Sequence, residues 1–224
     1  MGAHIYCIVA HGREPPSGLT GIAGARVAAA RGARLGVWYS EHGAPPAADA
    51  GAVRAHHAVV ESAMTPELTP VPVRFGQWFG GVDAALEQVG AEAAKWLEHL
   101  ARFAGRAEYG VRIDTDLELD TAQDVHPTGR SGTAYMAALA RRYADAQRRR
   151  AEGEEIAMRI HGALSDLVVA ARVEMPAAGL VSLAHLVARQ REGEYHAVLD
   201  EIRRSRSDLR FRFTGPWPPY SFVA

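Results

Sequence analysis

His56, His57 and Glu61 are the residues of this chain whose types and spacing come nearest to catalytic chemistry. His57 and Glu61 fall one helical turn apart, so an imidazole and a carboxylate share a face where a transition metal could sit. A metal-dependent enzyme built on His56, His57 and Glu61 is therefore one reading of the chain. The spacing is not that of a His-Glu-x-x-His site, and the sequence names no third ligand. Without a metal the same residues form a partly buried helix face, with Glu61 orienting His57 or pairing with Arg74 across the following turn.

Two other constellations are weaker. Asp114, Asp116, Glu118, Asp120 and Asp124 form an acidic run that could hold a cation loosely, but it lacks the glycine and closing glutamate of an EF-hand loop. Gly129-Arg130-Ser131-Gly132 ahead of a helix resembles a phosphate cradle without the lysine or the full spacing of a P-loop. No serine occupies a Gly-x-Ser-x-Gly elbow. No cofactor is indicated, and the sequence points away from catalysis.

Composition narrows the partners. The chain has 224 residues, is 48% hydrophobic and 23% charged, and carries a formal charge of -1. Such a balance describes an ordinary globular protein and gives neither nucleic acid nor an anionic membrane a basic surface to grip. Lys95 is the only lysine among 25 basic residues. Cys7 is the only cysteine, so no intrachain disulfide can form, and a reducing cytoplasmic setting is expected. Neither a signal peptide nor a membrane-spanning run is expected.

The elements that must position these residues follow from periodicity. An apolar strand is predicted over His4–Ala10 and another over Arg34–Ser40. Asp49 is placed to cap a helix running to Met64, with Val53, His57, Val60 and Met64 on one face. Residues 71–76 read as an extended edge segment, because Pro70 and Pro72 withhold ladder hydrogen bonds. From Val82 to Phe103, apolar residues recur at steps of four and three (Val82, Leu86, Val89, Ala93, Trp96, Leu100, Phe103). They predict one long helix whose seam faces its own sheet or another chain.

Gly105-Arg106 marks a boundary between residues 1–105 and 106–224. Beyond it the pattern predicts a strand through Tyr109, Val111 and Ile113, then two helices separated by a turn at Arg148-Arg149-Arg150. The first helix carries Met136, Leu139 and Tyr143; the second carries Ile156, Ile160, Leu164, Leu167 and Ala171. A hairpin around Pro176 and Gly179, a helix with Tyr195, Val198, Leu199 and Ile202, and a strand with Leu209, Phe211 and Phe213 inward complete the chain. The order matches a ferredoxin-like unit with an enlarged first crossover. The fold class is α+β in two domains. A ferredoxin-like sheet raises an RNA- or ligand-binding module as a further reading, although its inner strands lack the aromatics that stack bases.

The closing segment, Thr214 to Val223, sets three prolines beside Trp217, Tyr220 and Phe222. Prolines keep it out of a helix or central strand and make it stiff, and large rings left in water are costly. It is expected to be anchored, either on its own domain or against a partner protein.

Read together, several of these segments identify a family. His56-His57-Ala58-Val59-Val60-Glu61, Pro72-Val73-Arg74-Phe75-Gly76 and Gly105-Arg106-Ala107-Glu108-Tyr109-Gly110-Val111 stand in the order found in gas vesicle accessory proteins of the F/L type. Gly132 to Met136, Leu186 to Arg189 and the closing Thr214 to Phe222 continue the resemblance over essentially the whole chain, nearer the F member than the L member. The resemblance implies an N-terminal α+β domain of unusual fold and a C-terminal modified ferredoxin-like domain. It implies a role in making gas vesicles, with contact to the small, very hydrophobic shell protein and to other gas vesicle accessory proteins. The protein would act as an assembly factor or as a minor component at the gas-facing side, without catalysis or a cofactor. Residues expected to bind a partner or hold the fold are Trp217, Tyr220, Phe222, Trp96, Leu100, Phe103, His57, Glu61 and Arg74.

Overall fold

The computed structural model describes residues 1–115, 132–177 and 179–223. Two compact units make up the chain: Met1–Glu108 together with the chain from Pro216 onward, and Tyr109–Gly215. The closing segment, grouped with residues 106–224 on sequence, thus packs with the first unit. Mixed α and β structure with two sheets and five helices is present among the described residues.

In the first unit, strands β1 (Gly2–Ala10), β2 (Ala28–Arg31) and β3 (Leu35–His42) precede helix α1 (Ala50–Ser62). Short strands β4 (Val71–Pro72) and β5 (Trp78–Phe79) precede helices α2 (Val82–Ala91) and α3 (Ala93–Phe103). The sheet order is β2-β3-β1-β4, with β5 also on β1. β4 is an edge strand, as the prolines around it require.

A bulge between Ile5 and Cys7 inserts one residue into β1 opposite β3. The extra residue breaks the alternation of faces. Tyr6, Cys7 and Val9 join the cluster under α1, with Trp38, Val59, Val60 and Ala63. Ile5 and Ile8 line the other side with Val89 and Trp96. The sheet is therefore a middle layer between α1 and the α2–α3 pair.

Asp49 caps α1 by accepting the Ala52 N–H at 2.8 Å. The buried face of α1 is His56, Val59 and Val60, whereas Val53 is 43% exposed. The inward stripe is therefore shifted from the expected Val53/His57/Val60/Met64 set. The single helix expected over 82–103 is two helices, broken at Glu92, whose backbone leaves helical angles (φ -106, ψ 22). Gly90, a weak helix former, stands just ahead of the break. Both halves keep their apolar residues toward their own sheet.

The second unit contains β6 (Arg106–Asp114, entering from the first), α4 (Gly132–Ala163), β7 (Val168–Ala177), β8 (Leu180–Ala188), α5 (Glu192–Ser205) and β9 (Arg210–Trp217, leaving toward the first). Its sheet order is β7-β8-β6-β9. Tyr109, Val111 and Ile113 are buried and alternate with more exposed residues, as the sequence predicts. Arg148-Arg149-Arg150, expected as a turn, lies inside the continuous 32-residue α4. Arginine is a good helix former, and the ion pairs Arg148–Asp145 (2.8 Å) and Arg150–Glu154 (3.4 Å) have the i,i+3 and i,i+4 spacing a helix allows. α4 stops at Ala163, so Leu164 and Leu167 lie in the following turn and Ala171 in β7. Met136, Leu139 and Tyr143 are exposed on α4. Asp116, Glu118, Asp120, Asp124 and the stretch 129–131 lie outside the described residues.

Candidate functional site

The closing segment is docked on the first unit. Pro218, Pro219 and Phe222 are buried, and Tyr220 packs against the cluster under α1. Burial and the nearby Cys7 and Glu108 push the Tyr220 phenol above its ordinary range. His57 faces this segment, with ring centroids 5.2 Å from Trp217 and 5.8 Å from Tyr220. Ser221 donates its backbone N–H (2.9 Å) and its hydroxyl (2.7 Å) to the Glu108 carboxylate, and the Arg102 guanidinium lies over the Phe222 ring. Trp217 keeps 36% of its surface exposed.

The sequence-derived residues therefore separate. Phe103 and Phe222 are core residues, 0% and 3% exposed, and cannot reach a partner in the folded unit. Glu61 is exposed and bonds to neither His57 nor Arg74, the roles expected of it. Both ring nitrogens of His56 are engaged, by His4 and by the Val73 carbonyl. Among the described residues no three His, Cys, Asp or Glu side chains converge as metal ligands. Trp96 and Arg74 do come together, in a groove.

That groove, about 530 Å³, runs between the sheet and the α2–α3 pair. Its floor is Ile5, Ile8, Phe79, Val89 and Trp96; its rim is Arg74, Gln77, Gln88, Glu92 and Lys95; and Val223 of the docked tail closes one side. Each wall has a local cause. The β1 bulge turns Ile8 to the same side as Ile5, and the break at Glu92 sets Val89 and Trp96 on two helices rather than one. The Lys95 ammonium stands 4.6 Å from the Trp96 ring centroid and 3.7 Å from Glu92, and holds the indole in place. Trp96 Nε1 is buried with no hydrogen-bond partner among the described residues. Leu100 lies further along α3, in a smaller pocket of about 60 Å³ with Val9 and Pro70. An apolar floor and a rim of both charge signs suit an apolar segment with a polar edge, not a charged small molecule.

Behind the sheet lies a buried polar chain that sequence reasoning missed. His4 Nε2 and His56 Nδ1 are 2.8 Å apart, and His56 Nε2 is 2.8 Å from the Val73 oxygen. A carbonyl only accepts, so His56 Nε2 carries the proton. His56 Nδ1 then accepts from His4 Nε2–H, and His4 Nδ1 is left as a lone pair with no partner among the described residues. Burial, and then the neighbouring imidazole charge, hold both histidines down to about 4; the Val73 bond opposes this in part for His56. Alongside, the Tyr6 hydroxyl meets Ser40 Oγ (2.6 Å) and accepts the Ile22 N–H (3.1 Å), while Ser40 Oγ contacts His42 Nε2 (2.8 Å). The one signal in the sequence was a histidine inside the apolar run that opens the chain. This chain of bonds fixes α1 and the 73–77 segment to β1, and so sets one wall of the groove.

The second unit has its own buried pair, His185 Nδ1 with the Tyr195 hydroxyl at 2.9 Å. Burial and then His161 hold His185 down to about 4. On the sheet face turned from the helices lie Arg112, Arg172, Ser182, Arg210, Arg212 and Thr214, a basic face on which no aromatic ring stands among the described residues.

Comparison with known proteins agrees with this arrangement. The family described as gas vesicle synthesis protein GvpL/GvpF matches residues 2–224. Gas vesicle protein L of a Streptomyces species is 30% identical over 192 residues, covering 78% of this chain and 69% of that protein. Gas vesicle protein F2 of Halobacterium salinarum is 27% identical over 175 residues, covering 77% and 68%. The crystal structure of GvpF from Anabaena sp. PCC7120 superposes with a TM-score of 0.78 at 21% identity, covering 100% of this chain and 96% of that one. GvpF from Microcystis aeruginosa gives 0.72 at 18% identity, covering 99% and 98%. The chain belongs to the GvpL/GvpF family of gas vesicle synthesis proteins.

Proposed function

We propose that this protein is a gas vesicle assembly factor or minor vesicle component that binds the small hydrophobic shell protein through the groove between β1 and the α2–α3 pair. The observation that carries the reading is the groove itself: an apolar floor of Ile5, Ile8, Phe79 and Trp96, framed by Arg74, Gln77 and Lys95 on fixed elements. A shell subunit with a dry face aggregates when exposed to water, and a binder that shields it needs apolar surface that is ordered in advance. Trp217, exposed beside His57, adds a second apolar contact on the same unit. On this reading the protein acts by binding, without catalysis or a cofactor, in the cytoplasm or at the gas-facing side of the vesicle, and alongside other gas vesicle accessory proteins.

The same proposal takes the chain as two domains, the second a modified ferredoxin-like unit. The element order β6-α4-β7-β8-α5-β9 and the strand order β7-β8-β6-β9 support it. The long α4 is the enlarged crossover.

Co-expression with the shell protein, followed by capture of this chain, tests the proposal. The shell protein is expected in the captured fraction. Arg74→Glu and Trp96→Ala are expected to deplete it while thermal unfolding shows the first unit still folded. Absence of the shell protein from the wild-type fraction would count against the reading, as would equal recovery with both variants.

A further inference from the structure

The outer edge of the second sheet is open in a particular way. β7 ends the order β7-β8-β6-β9 and, among the described residues, pairs with β8 alone, so one row of its backbone groups has no strand partner there. Exposed edges of this kind pair with other strands unless short, bent or guarded by charge. β7 is ten residues long. Irregularities between Val168 and Ala170 and between Glu174 and Ala177, the second holding Pro176, leave Ala170–Glu174 regular.

That middle has two unlike faces. Val173 lies opposite Leu183, which is buried under the helices, yet Val173 is itself 50% exposed, and Val169 is 51% exposed. The apolar layer therefore runs out to the edge, where no described residue covers it. On the other face Arg172 and Glu174 are both exposed, and neither forms an ion pair with any described residue.

We propose that β7 is a self-association edge, which pairs antiparallel with β7 of a second copy of this chain about a two-fold axis at Val173. In an antiparallel pair, residues equally far from the axis lie opposite each other on the same face. This register sets Arg172 of each copy against Glu174 of the other. On the helix side it sets Val173 against Val173. Both faces are complementary at once. Shifting the axis to Arg172 sets arginine against arginine; shifting it to Glu174 sets carboxylate against carboxylate. The opposite edge, β9, carries Arg210 and Arg212 at the same i,i+2 spacing, and there the equivalent register joins like charges. The occupant is a second copy because the charge pattern is its own complement, as an isologous contact requires. Three regularly paired residues on each strand, Arg172 to Glu174, make a weak dimer that forms with rising concentration.

Sedimentation velocity across a concentration series of the full chain tests this, together with a Val173→Cys variant and a short bismaleimide linker. Cys7 is fully buried and stays out of the reaction. A reversible dimer is expected, with linked dimer from Val173→Cys. Arg172→Glu is expected to weaken the dimer about tenfold, and the exchange Arg172→Glu/Glu174→Arg to restore it. Arg172 and Glu174 are exposed, so these variants keep the fold, and circular dichroism checks that. A monomer at every concentration with no linked species overturns the proposal. So does a dimer indifferent to Arg172→Glu, which would assemble through another surface.

Discussion

Ser221 places its backbone N–H and its hydroxyl on the two oxygens of Glu108, 113 residues earlier in the chain. The bond pair fixes the closing segment at one point, and the buried Pro218, Pro219 and Phe222 fix it on either side. It also sets Val223 at the margin of the groove. Anchoring of the tail and shape of the groove are thus one structural fact.

Removing that anchor has a measurable cost. Glu108→Ala leaves a Ser221 N–H and hydroxyl without their charged acceptor, and about 2 kcal/mol of stability is expected to go with it. Ser221→Ala is expected to cost about 1 kcal/mol, and the two changes should be less than additive, since they remove one shared interaction. Urea unfolding followed by tryptophan emission reads both. A Glu108→Ala protein as stable as wild type contradicts the anchor.

Acid should weaken the first unit through His4 and His56. Both are held neutral, down to about 4 from the ordinary 6.5, so the folded state resists protons that the unfolded chain accepts. Their contribution is complete above about pH 6.5 and is lost as the pH falls toward about 4, by roughly 3 kcal/mol for each independent site. The pair share a hydrogen bond, so the combined loss will not be a simple sum. Unfolding midpoints between pH 7 and 4 should fall, and His4→Gln/His56→Gln should flatten the slope. An unchanged slope in that variant would show that other groups carry the acid sensitivity.

Gly21 is required by space. A Cβ there would collide with the Tyr6 hydroxyl, which is held by Ser40 and the Ile22 N–H. Gly21→Ala is expected to cost about 1 to 3 kcal/mol, since the ring lies in a packed cluster and cannot swing aside. Pairing it with Tyr6→Phe, which removes the colliding oxygen, should recover part of the loss. No destabilisation by Gly21→Ala would mean that the Tyr6 hydroxyl is free to move.

What could be read from sequence was local. Asp49 announced the start of α1 because capping needs only a side chain and the next turn. The alternation in β6 and the rings of the tail were legible for similar reasons. The break at Glu92 was hidden, because an apolar period of three and four continues across it and only Gly90 hints at weakness. The inward face of α1 was misjudged because the bond from His56 to His4 spans 52 residues and selects His56 over His57. The arginine triplet in α4 looked like a turn because its acidic partners stabilise the helix only once it has formed. The groove depends on the β1 bulge, the helix break and the docked Val223 together, and none of the three carries a motif.

The groove is the surface proposed to receive the shell protein, and α4 is not. A photo-crosslinking amino acid at Gln88, on the groove rim, can be compared with one at Met158, which is 68% exposed on α4, in cells making vesicles. The account predicts a crosslink to the shell protein from position 88 and none from position 158. Equal crosslinking from both positions, or crosslinking from 158 alone, would contradict it.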